Sequence, residues 1–244
     1  MNAKSDVDSN ATLNAFREVV RSRRSVRRFT DEPVPEHVLD DCLELAMLAP
    51  NSSNLQPWEF FVVRTPDLKT RLADACLGQN AAKTAPLLIV VVARTDTWRE
   101  HSRMALEQWP EEKLPGIVEK YYSRIAPIHY NQGPFGLLGA AKKAAGLFVG
   151  LSRPVPRGPY SKSEMKVWAT KSTALAAENL MLALRAHGYD SCPMEGFDEC
   201  RVRRLLKLPR KGLVTMVLAV GKRSDKGVYN RQYRFERDTL IHYL

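Results

Sequence analysis

The chain has 244 residues, 44% hydrophobic and 26% charged, with a formal net charge of +10. This length supports one substantial core, either a single domain or a large domain with an insertion, and the composition is that of an ordinary soluble globular protein. The excess of positive charge directs attention to nucleic acid or an anionic ligand, although only Arg21–Arg28 forms a dense cluster. Cys42, Cys76, Cys192 and Cys200 form no C-x-x-C pair and no metal-ligand spacing, so they read as reduced thiols of a cytosolic protein. The start MNAKSDVDSN lacks the apolar core of a signal peptide. No apolar run reaches the roughly 18 residues that span a bilayer. The nearest, FGLLGAAKKAAGLFVGL at 135–151, is interrupted by Lys142 and Lys143. A cytoplasmic protein is the expectation.

Residues 1–10 are expected to be disordered, and 11–244 to form one domain with an insertion at about 99–160. A first helix is predicted over 12–22, with Leu13, Phe16, Val19 and Val20 on one face. A second starts near Pro35, carries Val38, Leu39, Cys42, Leu45 and Ala46 at helical spacing, and ends before Pro50. Residues 50–57 are loop by composition, and WEFFVV at 58–63 reads as a strand. A short helix over 67–77 precedes PLLIVVVA at 86–93, an unbroken apolar run that predicts a strand buried on both faces. The pattern weakens over 99–160. A long helix resumes over 161–187, with Ser161 and Glu164 as a capping box and Gly188 as its stop. The segment DSCPMEGFD is read as a loop, followed by a helix near 198–207, a strand over 213–220 and a basic, aromatic tail. Strands and helices alternate without repeats, which makes the class α+β or α/β.

No G-x-G-x-x-G follows a strand, and there is no Walker A loop, H-E-x-x-H or G-x-S-x-G elbow. The five histidines show no metal spacing. Chemistry, if any, then belongs to an organic cofactor. Three stretches suit one. In RRSVRRF (23–29), Arg23, Ser25 and Arg27 alternate, so an extended backbone turns them to one side, where two guanidiniums and a hydroxyl grip a phosphate. By charge alone the same stretch is also a solvated basic turn or a nucleic-acid patch. APNSSNLQPWEFFVV (49–63) concentrates Asn51, Ser52, Ser53, Asn54 and Gln56, which suit a ligand rich in carbonyls and ring nitrogens, or a plain turn into a strand. GQNAAKTAPLLIVV (78–91) sets Asn80 and Lys83 three apart on one helical face, as a ligand pair or as ordinary helix surface.

RRSVRRF, APNSSNLQPWEF, NAAK before an apolar strand, and PMEGFD, in this order and with these separations, resemble the FMN-dependent nitroreductase family. The likeness covers roughly 13–98 and 161–244. It implies an α+β fold with a central, mainly antiparallel sheet flanked by helices, in an intertwined homodimer holding two FMN molecules at its interface. It also implies reduction of nitroaromatics, quinones or similar electron-poor small molecules by hydride transfer through flavin N5, with NADPH or NADH as donor. Carried across, Arg23, Arg24, Ser25 and Arg27 would bind the phosphate, ribityl chain and pyrimidine edge. Pro50, Asn51, Ser52, Asn54 and Gln56 would reach the flavin of the other subunit. Asn80 and Lys83 would meet the pyrimidine carbonyls, with Arg27 and Lys83 stabilising charge there. Pro193, Met194, Glu195 and Gly196 would form the loop beside N5. Arg231 and Arg234 match a phosphate-binding Lys-x-Arg pattern imperfectly, Gln232 being the departure. No catalytic side chain is implied, and no metal.

Quinone, azo, dehalogenating and flavin-fragmenting enzymes share the resemblance. Outside it stand a nucleic-acid module and a flavin sensor without turnover; the chain shows no helix-turn-helix or RNA-recognition signature. Over 125–151, Gly133, Gly136, Gly139 and Gly146 punctuate an apolar stretch, at about 1 kcal/mol each relative to alanine in a helix. A mobile cover with Tyr130 and Phe135 near the substrate is the expectation, and membrane-surface contact through 135–151 is its rival.

Overall fold

The computed structural model describes residues 9–244, so the expectation of disorder over 1–10 falls mostly on residues outside these; Ser9 and Asn10 open a helix. In chain order the elements are α1 (Ser9–Ser22), α2 (Glu36–Met47), β1 (Trp58–Val63), α3 (Pro66–Ala75), α4 (Asn80–Thr84) and β2 (Leu87–Arg94). There follow α5 (Trp98–Glu107), α6 (Gly116–Lys120), a π-helical stretch (Tyr121–Ile125), α7 (Ala126–Tyr130) and α8 (Leu137–Val149). The chain closes with α9 (Lys162–Ala186), β3 (Asp190–Met194), α10 (Glu199–Leu206), β4 (Gly212–Gly221) and α11 (Arg237–Leu240).

The four strands form one antiparallel sheet in the order β1-β2-β4-β3. Successive side chains of a strand point to opposite faces, and β2 shows what each face meets. Leu88, Val90 and Val92 pack with Leu72, Ala75, Ala82 and Val202, from α3, α4 and α10. Leu87, Ile89 and Val91 pack with Leu39, Cys42, Leu180 and Leu184, from α2 and α9. Helices cover both faces, so neither parity of β2 can be polar. That is the physical content of its unbroken apolar run.

The 25 residues of α9 extend about 37 Å at 1.5 Å per residue. Ser161 Oγ accepts the Glu164 N–H at 3.2 Å, and the Glu164 carboxylate accepts the N–H of Tyr160. At the other end Gly188 turns left-handed (φ +79°), and the N–H of Tyr189 closes onto the Leu184 carbonyl at 2.9 Å.

Two expectations need correction. Residues 190–194, read as loop, form the edge strand β3, paired from Asp190↔Gly221 to Met194↔Val217. Pro193 donates nothing to the ladder, which confines it to an edge. The glycines of α8 are explained by close approach. A Cβ at Gly139 would stand 1.9 Å from the Tyr160 carbonyl oxygen, and one at Gly146 would stand 2.9 Å from the Tyr160 hydroxyl. The chain at 157–160 crosses α8 where side chains are missing. Lys142 donates to the carbonyls of Ile128 and His129, each at 2.9 Å, and of Asn131 at 2.8 Å, closing the end of α7. Burial lowers the Lys142 pKa, and burial together with Lys142 lowers that of His129. No helix of the described residues is long and apolar enough to cross a membrane.

Candidate functional site

Beyond α1 the chain runs extended past the outer edge of β3. The Val26 N–H binds the Ser191 carbonyl at 3.1 Å, the Arg27 N–H that of Gly227 at 2.8 Å, and the Thr30 N–H that of Lys222 at 2.9 Å. Val26 and Phe29 point into the core. Arg23, Arg24 and Ser25 are half-buried, and Arg27 and Arg28 are exposed.

Arg23 Nε lies 3.9 Å from Glu178, yet its Nη1 is buried with no partner, as is Ser191 Oγ beside the Ser25↔Ser191 bridge. Arg24 donates to the carbonyl of Asn230. Arg27 lies over the Tyr229 ring, 5.5 Å from its centroid, and Asn80 Nδ2 donates to the Tyr229 hydroxyl at 3.2 Å. Arg27 also partly offsets the burial that raises the Cys192 thiol pKa, which sets its charge beside β3. The neighbour of Asn80, Gln79, donates to the Gly196 carbonyl at 2.7 Å and so ties α4 to the Glu195–Gly196 loop. Met194 is buried in β3, whereas Glu195 and Gly196 are exposed. Arg27 and Asn80 thus meet at Tyr229, Gln79 brings in Gly196, Arg24 reaches the adjoining Asn230, and Ser25 bridges Ser191; Lys83 follows Asn80 one turn on in α4. Gln79 and Tyr229 hold them together, and neither carried a sequence signal beyond position next to a motif or in an aromatic tail. Among the described residues neither Arg27 nor Lys83 has an ion-pair partner. The cluster is an unbalanced positive site with buried donors to spare, which is the demand of an anionic ligand.

The 50–56 loop is built separately. Asn51 Oδ1 accepts the Gln56 N–H at 2.8 Å, and Ser53, Asn54 and Gln56 take positive φ of 62°, 46° and 42°. Non-glycine residues are uncommon in this region, and such strain persists only where surroundings enforce it. Here the enforcement comes from the helices after β2. Ser53 Oγ lies 2.6 Å from the Tyr121 hydroxyl and 2.8 Å from that of Tyr130. The Tyr122 hydroxyl donates to the Ser53 carbonyl at 3.0 Å, and Ser52 Oγ stands 3.1 Å from the Tyr130 hydroxyl. Tyr130 is 1% exposed, its ring 4.7 Å from Trp168 and 6.4 Å from Trp98 by centroids. It supports the loop from beneath. Phe135, at 99% exposure, borders a separate broad cavity of about 1580 Å³ between the end of β2, α8, the start of α9 and α10. Neither aromatic joins the 23–27 cluster.

Pro50, Asn51 and Ser52 line a shallow cleft of about 360 Å³ with Trp168, Lys171, Ser172 and Leu175 of α9. Lys171, Leu175 and Glu178 share one helix face, and Glu178 meets Arg23, so the cleft lies along the same face of α9 as Arg23, with Leu175 about one turn from Glu178. Among the described residues no hydrogen bond or ion pair joins the 50–56 loop to the 23–27 cluster. Arg231 and Arg234 lie in the exposed tail, and among the described residues neither bonds to the cluster; Arg234 donates to the Tyr233 carbonyl at 2.7 Å.

The sequence profile of the nitroreductase family matches residues 20–222. The chain belongs to the nitroreductase family. This match runs through 99–160, which the motifs alone leave out. A Thermus thermophilus protein named NADH dehydrogenase is 32% identical over 218 residues, 89% of this chain and 91% of its own. An Exiguobacterium sibiricum protein solved in complex with FMN superposes with a TM-score of 0.69 at 25% identity, over 94% of this chain and 97% of its own. A Bacillus subtilis structure gives 0.72 at 24% identity, over 95% and 100%, and shows the shared fold. Among the described residues no group of acids, histidines and cysteines could hold a metal ion.

Proposed function

We propose that this nitroreductase-family chain works as a homodimeric FMN-dependent oxidoreductase, using NADH or NADPH to reduce nitroaromatic, quinone or similar electron-poor small molecules. The observation that carries the reading is the meeting of Arg27 and Asn80 at Tyr229, tied through Gln79 to the Gly196 backbone, with Arg27 and Lys83 lacking ion-pair partners and Arg23 Nη1 buried and unpartnered. FMN, when bound, would accept a hydride from the nicotinamide at N5 and deliver two electrons to the acceptor. The residues present fit it. Arg23, Arg24 and Ser25 would hold the phosphate and ribityl chain by charge-assisted bonds. Arg27, Asn80 and Lys83 would face the pyrimidine end, placing positive charge where reduction adds negative charge. Gln79 would fix the Gly196 carbonyl, and with it the backbone of Pro193, Met194, Glu195 and Gly196 against the ring edge.

The absence, among the described residues, of any bond between this cluster and the 50–56 loop supports the dimer, since Pro50, Asn51, Ser52, Asn54 and Gln56 would complete the site of the other subunit. Exposed apolar side chains on α1 (Leu13, Phe16, Val20) and in the tail (Tyr233, Phe235, Ile241) offer the surface for such a partner. The tail would bring Arg231 or Arg234 to the phosphate. Helices α5–α8 would act on substrate choice through the tyrosines that hold the loop.

The test is spectroscopic. The purified protein should show a flavin spectrum, release about one FMN per subunit on denaturation, bleach with NADH or NADPH and recover with a nitroarene or quinone. Sedimentation followed at the flavin absorbance should show no flavin-loaded monomer. Absence of flavin would leave the cluster as a nucleic-acid patch or a site for another anion. Flavin without turnover would make the protein a sensor.

A further inference from the structure

We infer that the cleft between the 50–52 loop and α9 selects planar aromatic acceptors that carry a negative charge, with Lys171 as the residue that recognises it; this rests on the flavin reading above. The volume of about 360 Å³ suits a molecule of one or two rings. Trp168 and Leu175 supply apolar walls, as a ring requires. The polar side chains on the loop side of the cleft are already committed. Asn51 uses its carbonyl on the Gln56 N–H and its amide on the Ala49 carbonyl, and Ser52 Oγ pairs with the Tyr130 hydroxyl.

On the α9 side Trp168 Nε1 is buried without a partner, and of the described residues Lys171 is the one charged side chain lining the cleft. It is exposed and, among the described residues, has no hydrogen bond or ion pair. The residues around it, VWATKSTAL, contain no carboxylate within a helical turn on either side. The nearest acids along its face, Glu164 and Glu178, each stand two turns away; Glu164 accepts the Tyr160 N–H and Glu178 faces Arg23. An uncommitted ammonium at an apolar, aromatic cleft prefers a ligand that brings its own carboxylate or sulfonate. The reaction is unaltered by this preference. A nitro group gains two electrons and two protons and loses one oxygen as water, while the nicotinamide donor leaves as NAD(P)⁺.

The experiment compares 4-nitrobenzoate with the neutral 4-nitrobenzamide. The ratio of their kcat/KM values should favour the benzoate by about tenfold or more, the scale of one charge-assisted contact. It should fall toward one in Lys171→Met, invert in Lys171→Glu and persist in Lys171→Arg. Calorimetric binding of the two compounds to the same proteins reads the preference without turnover. If neither compound is reduced but binding shows the Lys171-dependent preference, the flavin reading fails and the anion site stands. A ratio that ignores Lys171→Met overturns the inference, whatever the turnover. So does a rise in KM for NADH or NADPH with the acceptor ratio intact, which would give Lys171 to the donor's phosphates.

Discussion

Replacing Asp190 by asparagine should loosen the segment that carries Arg23, Ser25 and Arg27. Asp190 is 3% exposed and accepts from Arg185 Nη1 at 3.0 Å, Arg223 Nε at 2.7 Å and Arg223 Nη2 at 2.5 Å. Arg223 Nη2 also reaches the Ser22 carbonyl at 3.4 Å, and the Arg223 backbone bridges Phe29. One arginine therefore ties down both ends of the candidate flavin segment, Ser22 through its guanidinium and Phe29 through its backbone. Its hydrogen bond to Asp190 is the main reason its pKa rises. Breaking a buried pair costs about 3–5 kcal/mol, because the remaining charge is left uncompensated. Arg185 and Arg223 keep some access to water, with side chains 24% and 37% exposed, so the expected loss is the smaller figure of about 2–3 kcal/mol. At roughly 2–4 °C per kcal/mol for a chain of this size, Tm should fall by about 4–12 °C. Circular dichroism of flavin-stripped protein measures this free of any cofactor contribution, and flavin titration should show weakened affinity in parallel. The Asp190→Asn/Arg223→Met double variant should lose less than the sum of the single losses. Strict additivity, or a Tm within a degree of the parent, would refute the clamp.

Arg23→Ala should lower FMN affinity by one to two orders of magnitude, the worth of about 1.5–3 kcal/mol for a bond to a charged group; unchanged affinity by fluorescence titration would dismiss the phosphate assignment. Gly139→Ala should destabilise by about 1–3 kcal/mol, since its methyl would collide with the Tyr160 carbonyl at 1.9 Å. A mobile cover would instead tolerate it with no change in the denaturant midpoint. Burial pushes the Cys42 and Cys76 thiols up to about 12 and raises Cys192, so all three stay protonated at pH 8. Exposed Cys200 should be the one thiol that a disulfide reagent titrates in native protein, with all four reacting after unfolding; two or more fast native thiols would contradict this packing.

The elements legible in the sequence are those whose signal is local. LLIVVVA announces β2 because helices cover both faces of the sheet, leaving no polar position. The Ser161–Glu164 box and Gly188 mark the ends of α9 because caps are made by residues three or four apart. The cofactor motifs are legible for the same reason. Arg23, Ser25 and Arg27 alternate along one extended segment, and Asn80 and Lys83 lie on one turn of α4.

What depends on distant partners has no such trace. DSCPM, with a proline and two polar residues, is a strand only because β4 offers it a ladder. Tyr130 reads as an aromatic among prolines and glycines; contact with Trp98 and Trp168 makes it core and turns its hydroxyl to the 52–53 backbone turn. Gln79 and Tyr229 join the site through bonds to Gly196 and Asn80, which are 117 and 149 residues away. The sequence by itself determines the central strand β2 and the long helix, and marks the candidate ligating side chains, because periodicity and spacing act within a few residues. Tertiary structure alone decides the sheet edge, the support beneath the 50–56 loop and the partners of Gln79 and Tyr229, because those rest on contacts that chain separation hides.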